Sequence, residues 1–370
     1  MTAVVFYNIS RRSAAAEILS YPVLSYMIDV CPQADSVFCA QSLDKIDPRA
    51  HTFDSLTGLK ASLAADDKVL LFFAATPTLR EETVKRLLDA SGEGVALLHR
   101  GKQNVALCIP ASLLAEDILS AGAQVQVEIP DGEWMTADSA ENLYVLQEQL
   151  RRRINMGWMK KGVFLTDPNT THISPFASLG EGTVVLPNCQ IYGNTKIGED
   201  CRIGPNTMLT DAVVGSCSNI NASQVISSTV GKNTTVGPFA YIRPDCQVGD
   251  DCRIGDFVEL KNSNIGNGTK VSHLTYIGDS DFGEKINVGC GVVTVNYDGK
   301  NKYRTCVGDN SFVGCNVNLV APVNVEQGAY IAAGSTITDT VPAGSLAIAR
   351  QKQSVKDGWA DKRRKDGKLK

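Results

Sequence analysis

At 370 residues, with 43% hydrophobic and 21% charged side chains, the chain is long enough for two or three domains with substantial cores and falls outside the disordered and fibrous classes. A formal charge of −4 gives no general attraction to nucleic acid or to an anionic membrane. No apolar run approaches the roughly 20 residues needed to span a bilayer, and the N-terminal VVFY is too short for a signal-peptide core, so a cytoplasmic location is expected.

Residues 1–140 alternate short aliphatic runs (VVFY, KVLLFFAA, VALLHR, NVALCIP) with helix-like segments (AAAEILSYPVLSYMIDV, LREETVKRLLDA). Strands between amphipathic helices predict an α/β, Rossmann-like domain with a largely parallel sheet. Such folds often bind nucleotides where Gly-rich turns let phosphate approach the backbone. Here VVFYNISRRS follows the first strand without a glycine and AATPTL follows KVLLFF without an aspartate, so nucleotide chemistry is not visible.

From Asn142 to Trp158, Leu143, Leu146, Leu150 and Ile154 recur at three- and four-residue intervals, which predicts one amphipathic helix. Arg151 to Arg153 read as its solvated face. The expected organisation is an α/β domain over 1–140, a linking helix over 141–160, a repeat domain over 161–345 and a basic tail over 346–370. The N-terminal domain and the helix would cap one end of the repeat, and the tail, with six Lys or Arg in its last ten residues, lies beyond the other.

After the helix the period changes. Ile173, Leu179, Val185, Ile191, Ile197, Ile203 and Leu209 occur every sixth residue; further series run from Val230 to Leu260 and from Val307 to Ile337, with Phe282 and Val288 between them. Neither the 3.6 period of a helix nor the 2 period of a strand places one aliphatic every six residues on one face. A coil of three short strands does, so the repeat predicts a parallel β-helix. Small residues stand two positions before each aliphatic, and Cys189, Cys201, Cys246 and Cys252 are among them; they read as corner fillers. With eleven cysteines and no CxxC pair, neither a disulfide framework nor a metal site is expected.

Flat coil faces offer no pocket, so chemistry needs an excursion or a neighbouring subunit. The six-residue register breaks after Thr294 and restarts at Val307, with VNYDGKNKYRTC between. Near it lie a histidine and several cations. Arg243, Lys261 and Lys302 are the charges a phosphorylated substrate needs. A histidine, whose ordinary pKa is about 6.5, suits proton removal from an amine near neutral pH, and His273 is the candidate base, with Glu259 placed to orient it. Tyr276, Asn287, Asn296 and Tyr297 complete the polar set.

The segments HLTYIGD, NYDGKNK and NLVAPV go beyond a generic hexapeptide pattern. Over about residues 141–360 the chain closely resembles the acetyltransferase half of the bifunctional N-acetylglucosamine-1-phosphate uridyltransferase and glucosamine-1-phosphate N-acetyltransferase family. The resemblance implies a left-handed β-helix, a homotrimer with sites where subunits meet, and acetyl-CoA as donor, with no metal needed for acetyl transfer. By motif, it makes His273 the base toward the 2-amino group of glucosamine 1-phosphate and Arg243, Lys261 and Lys302 the phosphate clamp. Tyr276, Asn287, Asn296 and Tyr297 match sugar-binding and active-site positions, and Cys290, Cys315, Ala333 and Arg350 match acetyl-CoA positions. Cysteine at 290 and 315 departs from the alanine and serine expected in many relatives.

The resemblance also implies that residues 1–140 form a shortened nucleotidyltransferase-like domain. VVFYNISRRSAAAEI stands where uridyltransferases carry LAAGxGTRM, Ala74 and Ala75 stand where they carry Gly-Asp, and Glu141 replaces an asparagine metal ligand. No uridyltransferase activity is expected, and a separate uridyltransferase would complete the route. Two alternatives stand beside glucosamine-1-phosphate acetylation: another amino-sugar phosphate as acceptor, or a non-catalytic scaffold that retains the fold.

Overall fold

The aliphatic runs near the N-terminus become central strands because both of their faces are covered. In the computed structural model, which describes residues 1–31, 34–40, 43, 45–115, 117–118 and 122–370, seven strands form one sheet: β1 (Thr2–Phe6), β2 (Ser36–Cys39), β3 (Ala50–Thr52), β4 (Lys68–Phe72), β5 (Ala96–Arg100), β6 (Gln103–Pro110) and β7 (Val125–Glu128). Their order is β3-β2-β1-β4-β6-β5-β7. Val4, Phe6, Leu70 and Phe72 enter one buried cluster while Ala3, Val5, Val69 and Leu71 enter another, as the two-residue period of a strand requires. The sheet is parallel from β3 to β4, but β6 runs antiparallel to both β4 and β5. VALLHR and NVALCIP are separated by only a tight turn, which joins strands antiparallel and leaves no room for a crossover helix.

The linking helix spans Ala140–Lys160, and the Ser139 hydroxyl caps it by accepting from Asn142 N. The reading of Arg151–Arg153 as a solvated face is corrected. Arg151 is buried, donating to the Asn169 carbonyl and pairing with Glu148 at 2.6 Å, and half-buried Arg153 donates to the Thr78 carbonyl at 3.0 Å. Only Arg152 is exposed. Asn155 adds bonds from Nδ2 to the carbonyls of Pro168 and Thr171. The helix therefore uses its cations to satisfy loop carbonyls, and it ties the first coils to the α/β domain. The chain accordingly divides into compact units at Met1–Asp211 and Ala212–Lys370, inside the repeat and later than the linking helix.

In the second unit each coil contributes one strand to each of three parallel faces. One face stacks Arg253–Asp256, Lys270–His273, Asn287–Val288 and Phe312–Val313; the next stacks Tyr241–Ile242, Glu259–Lys261, Tyr276–Gly278 and Val293–Val295; the third stacks Gln247–Val248, Asn264–Ile265, Ser280–Phe282 and Thr305–Val307. The hexapeptide aliphatics fill the interior: Val236, Ile242, Val248, Ile254, Leu260, Val313, Leu319 and Ile331 are all buried. The four corner cysteines are buried; burial pushes the Cys189 thiol up to about 11 and raises Cys246 and Cys252. Several corners adopt the left-handed backbone conformation and are occupied by Asn or Asp, among them Asp245, Asp251, Asn262, Asp279 and Asn316. The expected start of the tail at 346 is corrected: Leu346–Ala347 still pair in parallel with Tyr330–Ile331, because their backbone completes the last coil. Beyond them the helix Trp359–Lys365 is exposed throughout except at half-buried Ala360.

Candidate active site

The break in the repeat is a short hairpin. Tyr297 and Lys302 form an antiparallel bridge, and Tyr303 N donates to the Asn296 carbonyl at 2.9 Å. Asp298 shapes the tip: its Oδ1 accepts from Lys300 N at 2.7 Å and Asn301 N at 2.6 Å, which holds its carboxyl below the usual range. Tyr297 Oη donates to the Gly299 carbonyl at 2.6 Å. The return strand is fastened by Arg304, whose guanidinium pairs with Asp281 at 2.7 Å and reaches the Ser280 carbonyl at 3.1 Å.

Beneath the hairpin lies Asp279, almost fully buried. Its Oδ1 accepts from Asn262 Nδ2 at 2.6 Å, its Oδ2 accepts from Asn296 Nδ2, and Lys261 Nζ stands 3.6 Å from Oδ2. Burial works to raise this carboxyl's pKa, but the two amide hydrogen bonds and the charges of Lys261 and Lys302 outweigh it and hold it below the ordinary aspartate range. Lys261 and Lys302 influence each other and shift in opposite directions, Lys261 up and Lys302 down. Like charges at close range disfavour each other, and Lys261, with the Asp279 carboxylate against it, is the one favoured, while the neighbouring positive charge lowers Lys302.

Arg243 extends this cluster by one coil. Its Nη1 donates to Glu259 Oε1 at 2.9 Å, and its guanidinium lies 6.0 Å from the Tyr241 ring centre. Tyr276 follows Glu259 in the ladder and folds back over Gly278, where an added Cβ would stand 2.3 Å from its Oη. The structure places Arg243, Glu259, Lys261, Tyr276, Asn296, Tyr297 and Lys302 on neighbouring coils.

His273 ends the strand on the adjacent face, one corner before Tyr276, with its side chain 60% exposed. The expectation that Glu259 orients it is corrected, because that carboxylate is taken by Arg243. The residue on His273 is Asp256, whose Oδ1 lies 2.6 Å from Nδ1. Asp256, Asp279 and Arg304 escaped the sequence reading, although Asp256 precedes His273 by 17 residues, the length of one coil here: Ile254 pairs with Val271 and Leu260 with Ile277.

Cys290, Cys315 and Ala333 occupy one column. Asn316 N donates to the Cys290 carbonyl and Gly334 N to the Cys315 carbonyl, each at 2.8 Å, and Arg350 Cδ would lie 3.8 Å from a Cβ on Gly334. The column leads back to His273, since Gly291 N donates to the carbonyl of the adjacent Leu274 at 3.1 Å. At the ~4.8 Å spacing of parallel strands, three steps separate His273 from Ala333, about 14 Å. Asn287 sits on the strand beside Lys270–His273, with its side chain exposed.

Residues 176–211 and 227–262 match the bacterial transferase hexapeptide family (six repeats). Over 255 residues the chain is 49% identical to the bifunctional protein GlmU of Caldanaerobacter subterraneus subsp. tengcongensis, a match covering 69% of this chain and 56% of that protein. About two thirds of this chain is thus similar to part of GlmU. The GlmU proteins of Thermoanaerobacter pseudethanolicus (50% over 241 residues; 65% of this chain, 53% of that protein) and Clostridium beijerinckii (52% over 231 residues; 62% and 51%) match similarly. The chain spans about half the length of the curated GlmU relatives it matches. The hexapeptide match and the three parallel faces together make the repeat a left-handed β-helix. Among the described residues no helix is long and apolar enough to cross a membrane.

Proposed function

We propose that this protein transfers acetyl from acetyl-CoA to the 2-amino group of glucosamine 1-phosphate. The observation that carries the reading is the gathering of Arg243, Lys261 and Lys302 around one hairpin beside an exposed histidine. Glu259 offsets Arg243 and Asp279 offsets Lys261, which leaves the cluster one positive charge in excess and suited to an incoming anion. In this reading the phosphate lies against Lys302 and Lys261, with the Arg243 fork turned toward it. Tyr276, Asn296, Tyr297 and Asn287 hydrogen-bond the sugar, and burial of Asn296 on Asp279 fixes that end of the ring. The thioester arm lies along Cys290, Cys315 and Ala333, with Arg350 meeting the anionic end of the donor.

The chemistry then follows. An amine attacks a thioester carbonyl only when its lone pair is free, so His273 takes the proton as the C–N bond forms. The tetrahedral oxyanion collapses, the C–S bond breaks, and the leaving thiolate recovers the proton from the imidazolium. Hydrogen-bond donors aimed at the oxyanion lower the barrier.

A homotrimer belongs to the same reading. Phe239, Phe257 and Leu274 form an apolar column at the corner beside His273, each more than half exposed, and the two rings stack at 5.5 Å. A second copy covering this column would shut water out of an otherwise open site. The N-terminal domain is read as a nucleotidyltransferase-like fold without uridyltransferase activity, acting in the cytoplasm upstream of a separate uridyltransferase.

The deciding measurement is CoA release from acetyl-CoA with glucosamine 1-phosphate, set beside glucosamine 6-phosphate. Preference for the 1-phosphate supports the acceptor assignment, preference for another amino-sugar phosphate replaces it, and no release with any amino sugar removes the enzyme reading. Pyrophosphate release from UTP with N-acetylglucosamine 1-phosphate and magnesium would overturn the loss of the first activity.

A further inference from the structure

We infer that Asp256 is the positioning residue of the acetyl-transfer site, fixing which nitrogen of His273 accepts the substrate proton; this rests on the proposed role of His273 as base. Asp256 and His273 are ladder partners at the ends of adjacent strands, and Leu274 N donates to the Asp256 carbonyl at 2.9 Å, so the backbone on both sides is locked in register. The strand spacing puts both side chains on one face, and Oδ1 meets Nδ1 at 2.6 Å.

That contact selects a tautomer. A carboxylate only accepts, so the neutral ring carries its hydrogen on Nδ1 and presents the Nε2 lone pair outward. Once Nε2 has taken the amine proton, the imidazolium charge faces a carboxylate already in hydrogen-bond contact, which stabilises the intermediate until the proton passes to the leaving thiolate. The hydrogen bond from His273 is the largest influence on the Asp256 carboxyl and holds it below the usual range, so it remains an anion in the working range. The other nearby carboxylate, Glu259, is on Arg243 and leaves Asp256 as the residue holding Nδ1.

The test uses the full chain with Asp256→Ala, Asp256→Asn and His273→Ala. CoA-release kinetics are measured together with the imidazole 15N signals of His273, assigned from the His273→Ala spectrum. Asp256→Ala is expected to lower kcat roughly a hundredfold with both KM values within about twofold, and to turn a single Nδ1–H tautomer into a mixture. Asp256→Asn keeps an acceptor oxygen without the charge and the backbone register, so it folds as the parent does and falls between. A kcat for both variants within about threefold of the parent, or unchanged 15N signals in Asp256→Ala, overturns the role. An inactive His273→Ala beside an active Asp256→Ala removes the positioning residue and leaves the base, whereas a fully active His273→Ala removes both.

Discussion

Replacing Asp279 by Asn isolates what holds the hairpin in place. The substitution keeps size and tolerates the left-handed corner at φ 50°, so backbone strain stays out of the comparison. It removes the charge that Lys261 faces at 3.6 Å and converts one acceptor oxygen into a donor, which leaves Asn262 or Asn296 pointing at an N–H. A hydrogen bond to a charged group contributes about 1.5–3 kcal/mol, and orphaning a buried donor costs about 1–3 kcal/mol. Together they give about 3 kcal/mol for local opening, roughly a hundredfold in an equilibrium constant. Amide exchange at Tyr303, whose N–H is bonded to the Asn296 carbonyl, reads that opening directly. The same variant should raise KM for the amino-sugar phosphate, because Lys302 rides on the hairpin, while KM for acetyl-CoA holds. The pH dependence has a definite sign: a carboxyl lowered in the folded state contributes stability present above the ordinary aspartate pKa of about 3.9 and lost as pH falls through its own lower value. Parent protection should therefore persist down through pH 4 and fade below it, and the Asn variant should show no such step. Tyr303 exchange within about threefold of the parent would refute the reasoning.

Three other outcomes are expected. Gly255→Ala would place a Cβ 1.9 Å from the Ser272 carbonyl oxygen, a backbone atom that cannot step aside, so thermal melting should show a large destabilisation; a melting temperature equal to the parent's would contradict the tight coil stacking. Gly278→Ala meets only the movable end of Tyr276, so the melting temperature should change little while KM for the acceptor rises, and an unchanged KM would take Tyr276 out of the sugar site. At pH 8 iodoacetamide should alkylate exposed Cys315 and leave Cys189 untouched, its buried thiol being pushed up to about 11. Acetyl-CoA should slow labelling at Cys315, and equal rates with and without it would move the donor off that column.

The repeat was legible because each coil buries one aliphatic per face, a period no other structure produces, and the excursion after Thr294 was legible as its failure. Direction of attachment was harder. The six-residue count holds from Val230 to Leu260, but the next coils have 17 residues, so a reader assuming 18 would not set Asp256 beside His273. Glu259 was chosen for chemistry; its ladder neighbours are Tyr241 and Tyr276, and Arg243 at the next corner claims it. Asp279 looked like one more Asp at a corner, and only the fold shows it buried under Asn262 and Asn296. The Arg151–Arg153 run misled for a different reason: a charge on a helix reads as solvated unless the carbonyls it serves are known, and those belong to residues 78 and 169.

Cys315 and Ala333 lie in coils that follow the hairpin, whereas His273, Cys290 and the cluster from Arg243 to Lys302 lie in coils that precede or include it. In the proposed reading, a coil exchanged beyond Val307 alters which acyl donor is accepted while the acceptor end keeps its geometry, and the two preferences change separately without a redesign of the whole fold.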